Sequence, residues 1–277
     1  MDSPGQRVHG LTSKRKMTSR ILIKIGGRAF DGEDGFKQLA QAIKKNPEAE
    51  VIIVHGGGAE ISQALKAAGR ETVFVDGMRV TQAEDIKIVE SVLSGVINER
   101  IAGWLSKNGV CCRRMSGKTE RLLIAEPLLT RGGKSMGFVG KIAKVTAAAV
   151  LDALAKKEVP VVSPISGDAA GQSYNVNADS AAAALAAGAG CTDLVFVTDV
   201  PGVMVGGEIR TLLTVAEARG LIADGTITGG MVAKMESVFE ALDGKVPRVH
   251  VIQWQGPETL RSILAHQNIP GTSIHHA

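Results

Sequence analysis

The sequence predicts an α/β protein, with a mainly parallel sheet carrying helices on both faces. Two patterns lead there. Short, continuously apolar runs of Val, Ile and Leu alternate with stretches of helical period, and glycine clusters follow the first apolar runs directly. A run that is apolar at every position suits a strand buried on both faces. Composition supports the same class. The chain has 277 residues, 44% hydrophobic, 22% charged and only 3% aromatic, so its core is aliphatic. That balance excludes a disordered chain.

The elements follow in order. Residues 21–25 are the first apolar run, ended by Gly26 and Gly27, and 36–45 reads as the next helix. Residues 51–54 are the second run, ended by His55 and the glycines 56–58, before a helix over 60–68. Residues 73–75 start a hairpin, and 84–106 keep a helical period throughout. Strands are expected at 110–114 and 122–129. Residues 131–140 hold four glycines and read as a loop or hairpin. A helix over 145–157, a strand over 159–165, an Ala-rich helix over 178–189 and a strand over 193–198 follow. Helices at 215–223 and 231–242 and a late strand at 249–252 complete the pattern. No internal repeat or long linker is visible. One sheet is expected through the whole molecule, with two lobes meeting near Ala178.

The net charge of +4 comes largely from residues 1–20, where Arg7, Lys14, Arg15, Lys16 and Arg20 face only Asp2. These residues read as a disordered basic tail. The remainder is close to neutral and lacks the basic stripe of a nucleic-acid binder. No apolar run approaches the roughly 18 residues of a membrane span. Cys111, Cys112 and Cys191 are too few for a disulfide framework and lack zinc-site spacing, so they read as small core residues in a reducing, cytoplasmic setting.

The two glycine loops lie where a parallel sheet binds ligands, at the carboxyl ends of strands. Each offers either a plain tight turn or, with the following helix N-terminus, an anion site. Established nucleotide motifs do not fit. Gly117-Lys118-Thr119 lacks the glycine five positions before it, and Gly56-x-Gly58 continues to Ile61. Gly133-Lys134-Ser135-Met136-Gly137 matches a nucleophile-elbow pattern, with His55-Gly56-Gly57-Gly58 as oxyanion loop and His250 to complete a triad. The flanking Thr130-Arg131-Gly132 and Phe138-Val139-Gly140 are wrong for the strand and helix an elbow needs. Lys24 is unusual in ending an apolar strand, where an unpaired charge is costly. Asp179 reads either as a helix cap or as a site residue. His55 reads as a packed or turn-bonded histidine rather than an acid or base.

Five fragments, in order, resemble the amino acid kinase family. They are Ile23-Lys24-Ile25-Gly26-Gly27, Val54-His55-Gly56-Gly57-Gly58, Gly77-Met78-Arg79-Val80-Thr81, Asn175-Val176-Asn177-Ala178-Asp179 and Gly229-Gly230-Met231-Val232-Ala233-Lys234. Thr198-Asp199-Val200-Pro201-Gly202-Val203 resembles that family's nucleotide-binding loop. The second pair of lobe motifs, around Arg79 and Asn175, is similar to the branch that phosphorylates N-acetyl-L-glutamate.

The resemblance implies a three-layer αβα sandwich of two lobes, 21–178 for the amino-acid substrate and 179–277 for ATP. It implies transfer of the γ-phosphoryl of ATP to the side-chain carboxylate of N-acetyl-L-glutamate, giving N-acetyl-L-glutamyl 5-phosphate. Lys24 and Lys234 would stabilise the transferring phosphoryl and Asp179 would hold both ammonium groups. Gly26, Gly27 and Gly57 would bind phosphate, and Gly57, Gly58, Arg79 and Asn175 the substrate. Asp199, Val200, Gly202, Val203, Met204, Gly229, Gly230, Met231 and Lys234 would bind the nucleotide. Mg2+ would be held mainly by ATP and water, with no protein metal site.

Gly137-Phe138-Val139-Gly140 matches in outline the hairpin that closes the acetyl pocket, but Lys141 beside it is basic. The tail lacks an apolar helical period and the C-terminus lacks an acidic stretch, which implies an arginine-insensitive homodimer. The rivals are a carrier-protein-linked aminoadipate or glutamate kinase, which favours a basic pocket rim, and a non-catalytic ligand sensor on the same fold.

Overall fold

The computed structural model describes residues 19–26, 30, 32–75, 77–130 and 132–276. The expected disordered tail therefore lies outside the described residues, apart from Ser19 and Arg20. Arg20 belongs to the first strand and pairs with Glu50 at 2.8 Å, so that strand begins one residue earlier than the sequence suggests.

In chain order, β1 (Arg20–Ile25), α1 (Gly32–Lys45), β2 (Glu50–His55) and α2 (Gly58–Ala67) lead to a hairpin of β3 (Phe74–Val75) and β4 (Met78–Arg79). Helix α3 (Ile86–Glu90), a π-helical segment (Ser91–Ile97) and α4 (Asn98–Lys107) then run on without a break. Next come β5 (Cys112–Ser116), β6 (Leu123–Leu129), β7 (Ser135–Val145), α5 (Ala148–Ala155), β8 (Val159–Ser163), β9 (Ile165–Gly167) and β10 (Ser173–Val176). Helix α6 (Ala178–Gly188) and β11 (Asp193–Val197) precede the hairpin β12 (Met204–Val205) and β13 (Glu208–Ile209). The chain ends with β14 (Leu212–Thr214), α7 (Val215–Ala223), α8 (Gly230–Asp243), β15 (Arg248–Ile252), α9 (Glu258–Ala265) and β16 (Gly271–His275).

Eight strands form the central sheet in the order β14-β16-β15-β11-β1-β2-β8-β5. The six from β15 to β5 are parallel, and only β16 and β14 run against them. Because side chains alternate across a strand, the sheet feeds two cores. Leu22, Ile52, Val54, Leu194 and Phe196 pack under α5, α6 and α8, while Ile21, Ile23, Ile25, Ile53 and Val195 pack under α1, α2, α4 and α9. Each such side chain, fully buried, contributes about 1.5–3 kcal/mol. The three layers are those of an αβα sandwich.

The sheet does not take in every strand. β6, β7, β9 and β10 close into a separate four-stranded unit at its edge. The 131–140 stretch is the turn and first half of a hairpin with bulges. β7 extends to Val145 and so shortens the helix expected from there. Val145 sits under Gly188 of α6, where a Cβ would lie 2.5 Å from Val145 Cγ1. The strand expected over 159–165 breaks after Ser163, next to Pro164. β10, α9 and β16 are additional, too short or too polar to stand out by period.

Candidate active site

The central strands continue their ladder past their carboxyl ends. Gly26 N–H donates to Val197 O at 3.2 Å and Gly56 N–H to Ile25 O at 3.1 Å. The Gly26 amide is thus bonded within the sheet. Gly27 lies outside the described residues. In the second loop the first amide without an acceptor among the described residues is that of Gly57.

Lys24, next to last in β1, is aligned with Val54 and Phe196 on the face covered by α6 and α8. Its Nζ lies 2.7 Å from Asp179 Oδ1, and Lys234 Nζ lies 2.8 Å from Asp179 Oδ2. The three side chains are 11%, 16% and 14% exposed, in the order Lys24, Asp179, Lys234. One carboxylate between two ammonium groups leaves a half-dry cluster with one positive charge in excess. Burial alone would raise the Asp179 carboxyl, but Lys24 and Lys234 outweigh it and hold the group below its usual range. Lys234 is lowered by burial and by Lys24, against the pull of Asp179. Its ammonium also sits 5.0 Å from the centroid of the Phe196 ring.

Local structure sets these positions. Asn177, not Asp179, caps α6, its Oδ1 accepting from Asp179 N at 2.8 Å and Ser180 N at 3.2 Å. This rules out the capping role considered for Asp179 and leaves its carboxylate for the lysines. Lys234 stands one turn into α8, whose N-cap, Gly229, takes a left-handed φ of 57° that favours glycine.

Lys24 and Asp179 line one end of a cavity of about 250 Å³. Gly56, Gly57 and Gly58 form one wall, and Asn175 and Val176 of β10 another. Arg79 lines it too, and is 8% exposed. Its Nη2 donates to Gly58 O at 2.9 Å and Ser62 Oγ at 2.8 Å, its Nη1 to Thr72 Oγ1 at 3.0 Å, and the Phe74 ring lies 4.8 Å away. No carboxylate among the described residues comes within ion-pair distance of Arg79, and burial lowers its pKa against the raising effect of Asp85. A buried guanidinium held only by neutral acceptors suits an anionic ligand. Asn175 Nδ2 donates to Thr81 Oγ1 at 3.0 Å. Val139, in the expected pocket-closing hairpin, also lines the cavity.

The expected nucleotide residues stand outside that cavity lining. Val200 and Met204 are exposed, while Val203 is buried, its N–H donating to Thr272 Oγ1 at 2.8 Å. A Cβ on Gly202 would fall 2.8 Å from that Oγ1, so glycine lets the loop lie against β16. Asp199 acts on Lys234 electrostatically, which ties this loop to the lysine cluster. Gly229, Gly230 and Met231 open α8 just before Lys234.

Other motifs resolve as structural. Ser135 begins a hairpin strand, and His250 is buried against Asp193, so no elbow forms. Lys118 Nζ bonds Ser173 Oγ at 2.7 Å and pairs with Glu90 at 3.2 Å. Lys141 pairs across the hairpin with Glu126 at 2.9 Å, which neutralises the basic residue that departs from the family pattern. Cys191 is buried as expected, but Cys111 is exposed and Cys112 half-buried; burial pushes the Cys112 and Cys191 thiols up to about 12. Sequence reasoning quoted Asn177 in a family fragment without giving it a role, and it missed Ser62, Thr72, Phe74 and Phe196. Only Asn177 carried a signal, an Asn immediately before an Ala-rich helix.

Comparison with known proteins gives the family and the fold. A family model described as the amino acid kinase family matches residues 19–253. Acetylglutamate kinase of Geobacillus stearothermophilus is 38% identical over 237 residues, 85% of this chain and 90% of that one. Acetylglutamate kinase of Chloroflexus aurantiacus is 39% identical over 241 residues, covering 87% and 94%. Among solved structures, N-acetylglutamate synthase of Neisseria gonorrhoeae superposes with a TM-score of 0.79 at 23% identity, over 94% of this chain and 60% of that one. Carbamate kinase of Giardia lamblia gives 0.62 at 14%, over 94% and 99%. At these identities the structures share the fold.

Proposed function

The chain belongs to the amino acid kinase family, and from that premise we propose that it transfers the γ-phosphoryl of ATP to the side-chain carboxylate of N-acetyl-L-glutamate, yielding N-acetyl-L-glutamyl 5-phosphate in arginine biosynthesis. The observation that carries this reading is the Lys24–Asp179–Lys234 cluster, one positive charge in excess, whose Lys24 and Asp179 line a cavity that also holds Arg79, paired with no carboxylate among the described residues. Two relatives named acetylglutamate kinase, matched over 90% and 94% of their length, support the choice of substrate.

The chemistry needs no general base, since a carboxylate is ionised at neutral pH. The difficulty is bringing one anion to another, so catalysis rests on positioning and positive charge. Arg79 and Asn175 hold the α-carboxylate end of the substrate, with the acetyl group toward Val139. Lys24 meets the phosphoryl from the acceptor side and Lys234 from the nucleotide side. Gly57 and Gly58 offer backbone N–H groups to its oxygens. Each such donor is worth on the order of a hundredfold or more in rate. Asp199 to Met204 and Gly229 to Met231 receive the nucleotide. Asp179 is already held by two ammonium groups, and among the described residues no cluster of His, Cys, Asp and Glu suits a metal. Mg2+ would be held mainly by the phosphates of ATP and by water. The enzyme works as an arginine-insensitive homodimer in the cytoplasm.

The test is ATP consumption with hydroxylamine trapping of the acyl phosphate. N-acetyl-L-glutamate, glutamate, aspartate and aminoadipate run side by side. A hydroxamate from N-acetyl-L-glutamate alone is expected. No hydroxamate from any of the four, with ATP bound, sinks the reading in favour of a carrier-linked substrate or a sensor.

A further inference from the structure

His55 ends β2 on the sheet face opposite Lys24, and it is 1% exposed. It does not line the cavity, whereas Gly56, Gly57 and Gly58 do. Its Nδ1 lies 2.9 Å from Gly56 O, and its Nε2 lies 3.2 Å from Asn98 Nδ2.

The neighbours settle which ring nitrogen carries the proton. A carbonyl oxygen only accepts, so Nδ1 must be the donor to Gly56 O. Asn98 is fixed in turn. Its Nδ2 donates to Val161 O at 2.9 Å and Met115 O at 3.2 Å, and its Oδ1 accepts from Arg114 Nε at 3.2 Å. With the amide oriented by those partners, Nδ2 shares its two hydrogens among Val161 O, Met115 O and Nε2 and offers Nε2 no acceptor, so Nε2 carries no proton. Burial pushes His55 down to about 4, so the ring is neutral at working pH.

The geometry points to His55 as a positioning residue that aims the Gly57 N–H at the transferring phosphoryl. The oxygen of Gly56 and the N–H of Gly57 belong to one trans peptide unit, and in such a unit they point in opposite directions. Holding the oxygen toward His55 turns the N–H away from it, to the cavity side where Lys24 stands. That N–H has no acceptor among the described residues. Asn98 and Arg114 extend the brace to β5, and Arg114 Nη2 also donates to Ser94 O at 3.2 Å in the π-helical segment. None of His55, Asn98 and Arg114 lines the cavity. The role given to His55 rests on the kinase reading above.

The experiment compares His55→Leu and His55→Asn in the full chain, measuring kcat, KM for both substrates and thermal stability. Removing the ring donor lets the peptide rotate, so His55→Leu is expected to lose about 100-fold in kcat with both KM values within about threefold. In His55→Asn the side-chain amide can donate from the place of Nδ1, and kcat is expected to return to within about tenfold of wild type. A folded His55→Leu with wild-type kcat, or a His55→Asn no faster than His55→Leu, overturns the inference. Should His55→Leu not fold, imidazole 15N shifts of the intact protein decide. An Nδ1–H tautomer is expected at neutral pH, and an Nε2–H tautomer overturns it. A wild-type enzyme that makes no hydroxamate from N-acetyl-L-glutamate overturns the kinase reading as well, whereas an active wild type with an equally active His55→Leu overturns only the role of His55.

Discussion

Asn177 Oδ1 accepts from the backbone N–H of Asp179 at 2.8 Å, so the residue that caps α6 also fixes the first turn from which the Asp179 carboxylate reaches two lysines. Asn177→Ala should therefore do two things. It should cost about 1 kcal/mol of stability, the usual worth of an N-cap, and lower Tm by about 2–4 °C. It should also reduce kcat, because the carboxylate that sets the spacing of the lysines is loosened. Calorimetry and steady-state kinetics on one preparation check both. A lower Tm with unchanged kcat would confine Asn177 to the helix.

Lys24→Ala and Lys234→Ala should each cut kcat by about 100-fold or more with the fold intact. Either change leaves Asp179 paired with the remaining ammonium, so no buried charge is stranded. Their effects should not add, since both act on the same group in flight. Asp179→Ala is different. It leaves two ammonium groups facing each other, each at most 14% exposed, and should lower Tm more than either lysine change. Added phosphate should restore part of that loss, which circular dichroism melts would detect. A Tm for Asp179→Ala at or above that of Lys24→Ala would show that the cluster is not held by this carboxylate.

Much of this architecture was legible in the residues. The all-apolar runs around Ile23 and Ile53 announced buried parallel strands because both faces of the sheet are covered. Lys24 stood out because a lysine at the end of such a run needs a partner. The partner's identity came through the resemblance, since the approach of Asp179 and Lys234 depends on how α6 and α8 cross the sheet. No period in the sequence encodes that crossing. The four-stranded unit of β6, β7, β9 and β10 was hidden for another reason. β6 and β7 are bulged, β9 and β10 are only three and four residues long, and half of the pairing joins segments far apart in the chain. Arg79 was named, but not its support by Ser62 and Thr72, because single hydroxyls on a helix and a loop carry no pattern.

Gly57→Ala should be destabilising by about 1–3 kcal/mol through overpacking alone. A Cβ there would lie 2.2 Å from Ile97 Cδ1 and 2.9 Å from Leu93 Cδ2, both carried on the π-helical segment. The φ of Gly57 is 169°, open to any residue, so backbone strain plays no part. Ile97→Val removes the offending methyl, and the double variant should recover part of the loss. Denaturant titrations of the two single variants and the pair form the cycle. Strict additivity would place the cost of Gly57→Ala elsewhere in the loop.

Arg79→Lys should raise KM for N-acetyl-L-glutamate by about tenfold or more while changing kcat less. The guanidinium spends two nitrogens on Gly58 O, Ser62 and Thr72, which fixes its plane against the Phe74 ring. An ammonium reaches fewer of these acceptors and offers no flat fork to a carboxylate. KM for ATP should stay near wild type. An equal rise in both KM values would mean that Arg79 supports the loop rather than the substrate.

Acid should destabilise the protein in two successive windows. Burial, partly offset by the Gly56 hydrogen bond, lowers His55 from 6.5 to about 4. The folded state then binds fewer protons than the unfolded state, so this contribution is complete above about pH 6.5 and is lost as pH falls to about 4. Asp193 governs the lower window. Its burial would raise it, but hydrogen bonds from His250, Arg248 and Thr192 bring it from 3.8 down to about 2. Its contribution is complete above about pH 4 and is lost as pH falls to about 2. Linkage sets the two losses on the order of 3 and 2 kcal/mol. Denaturant midpoints measured across the whole range should fall in both windows. His55→Asn should flatten only the upper window and Asp193→Asn only the lower. A wild-type midpoint that stays level between about pH 6.5 and 4 would mean that the buried ring accepts a proton as readily folded as unfolded.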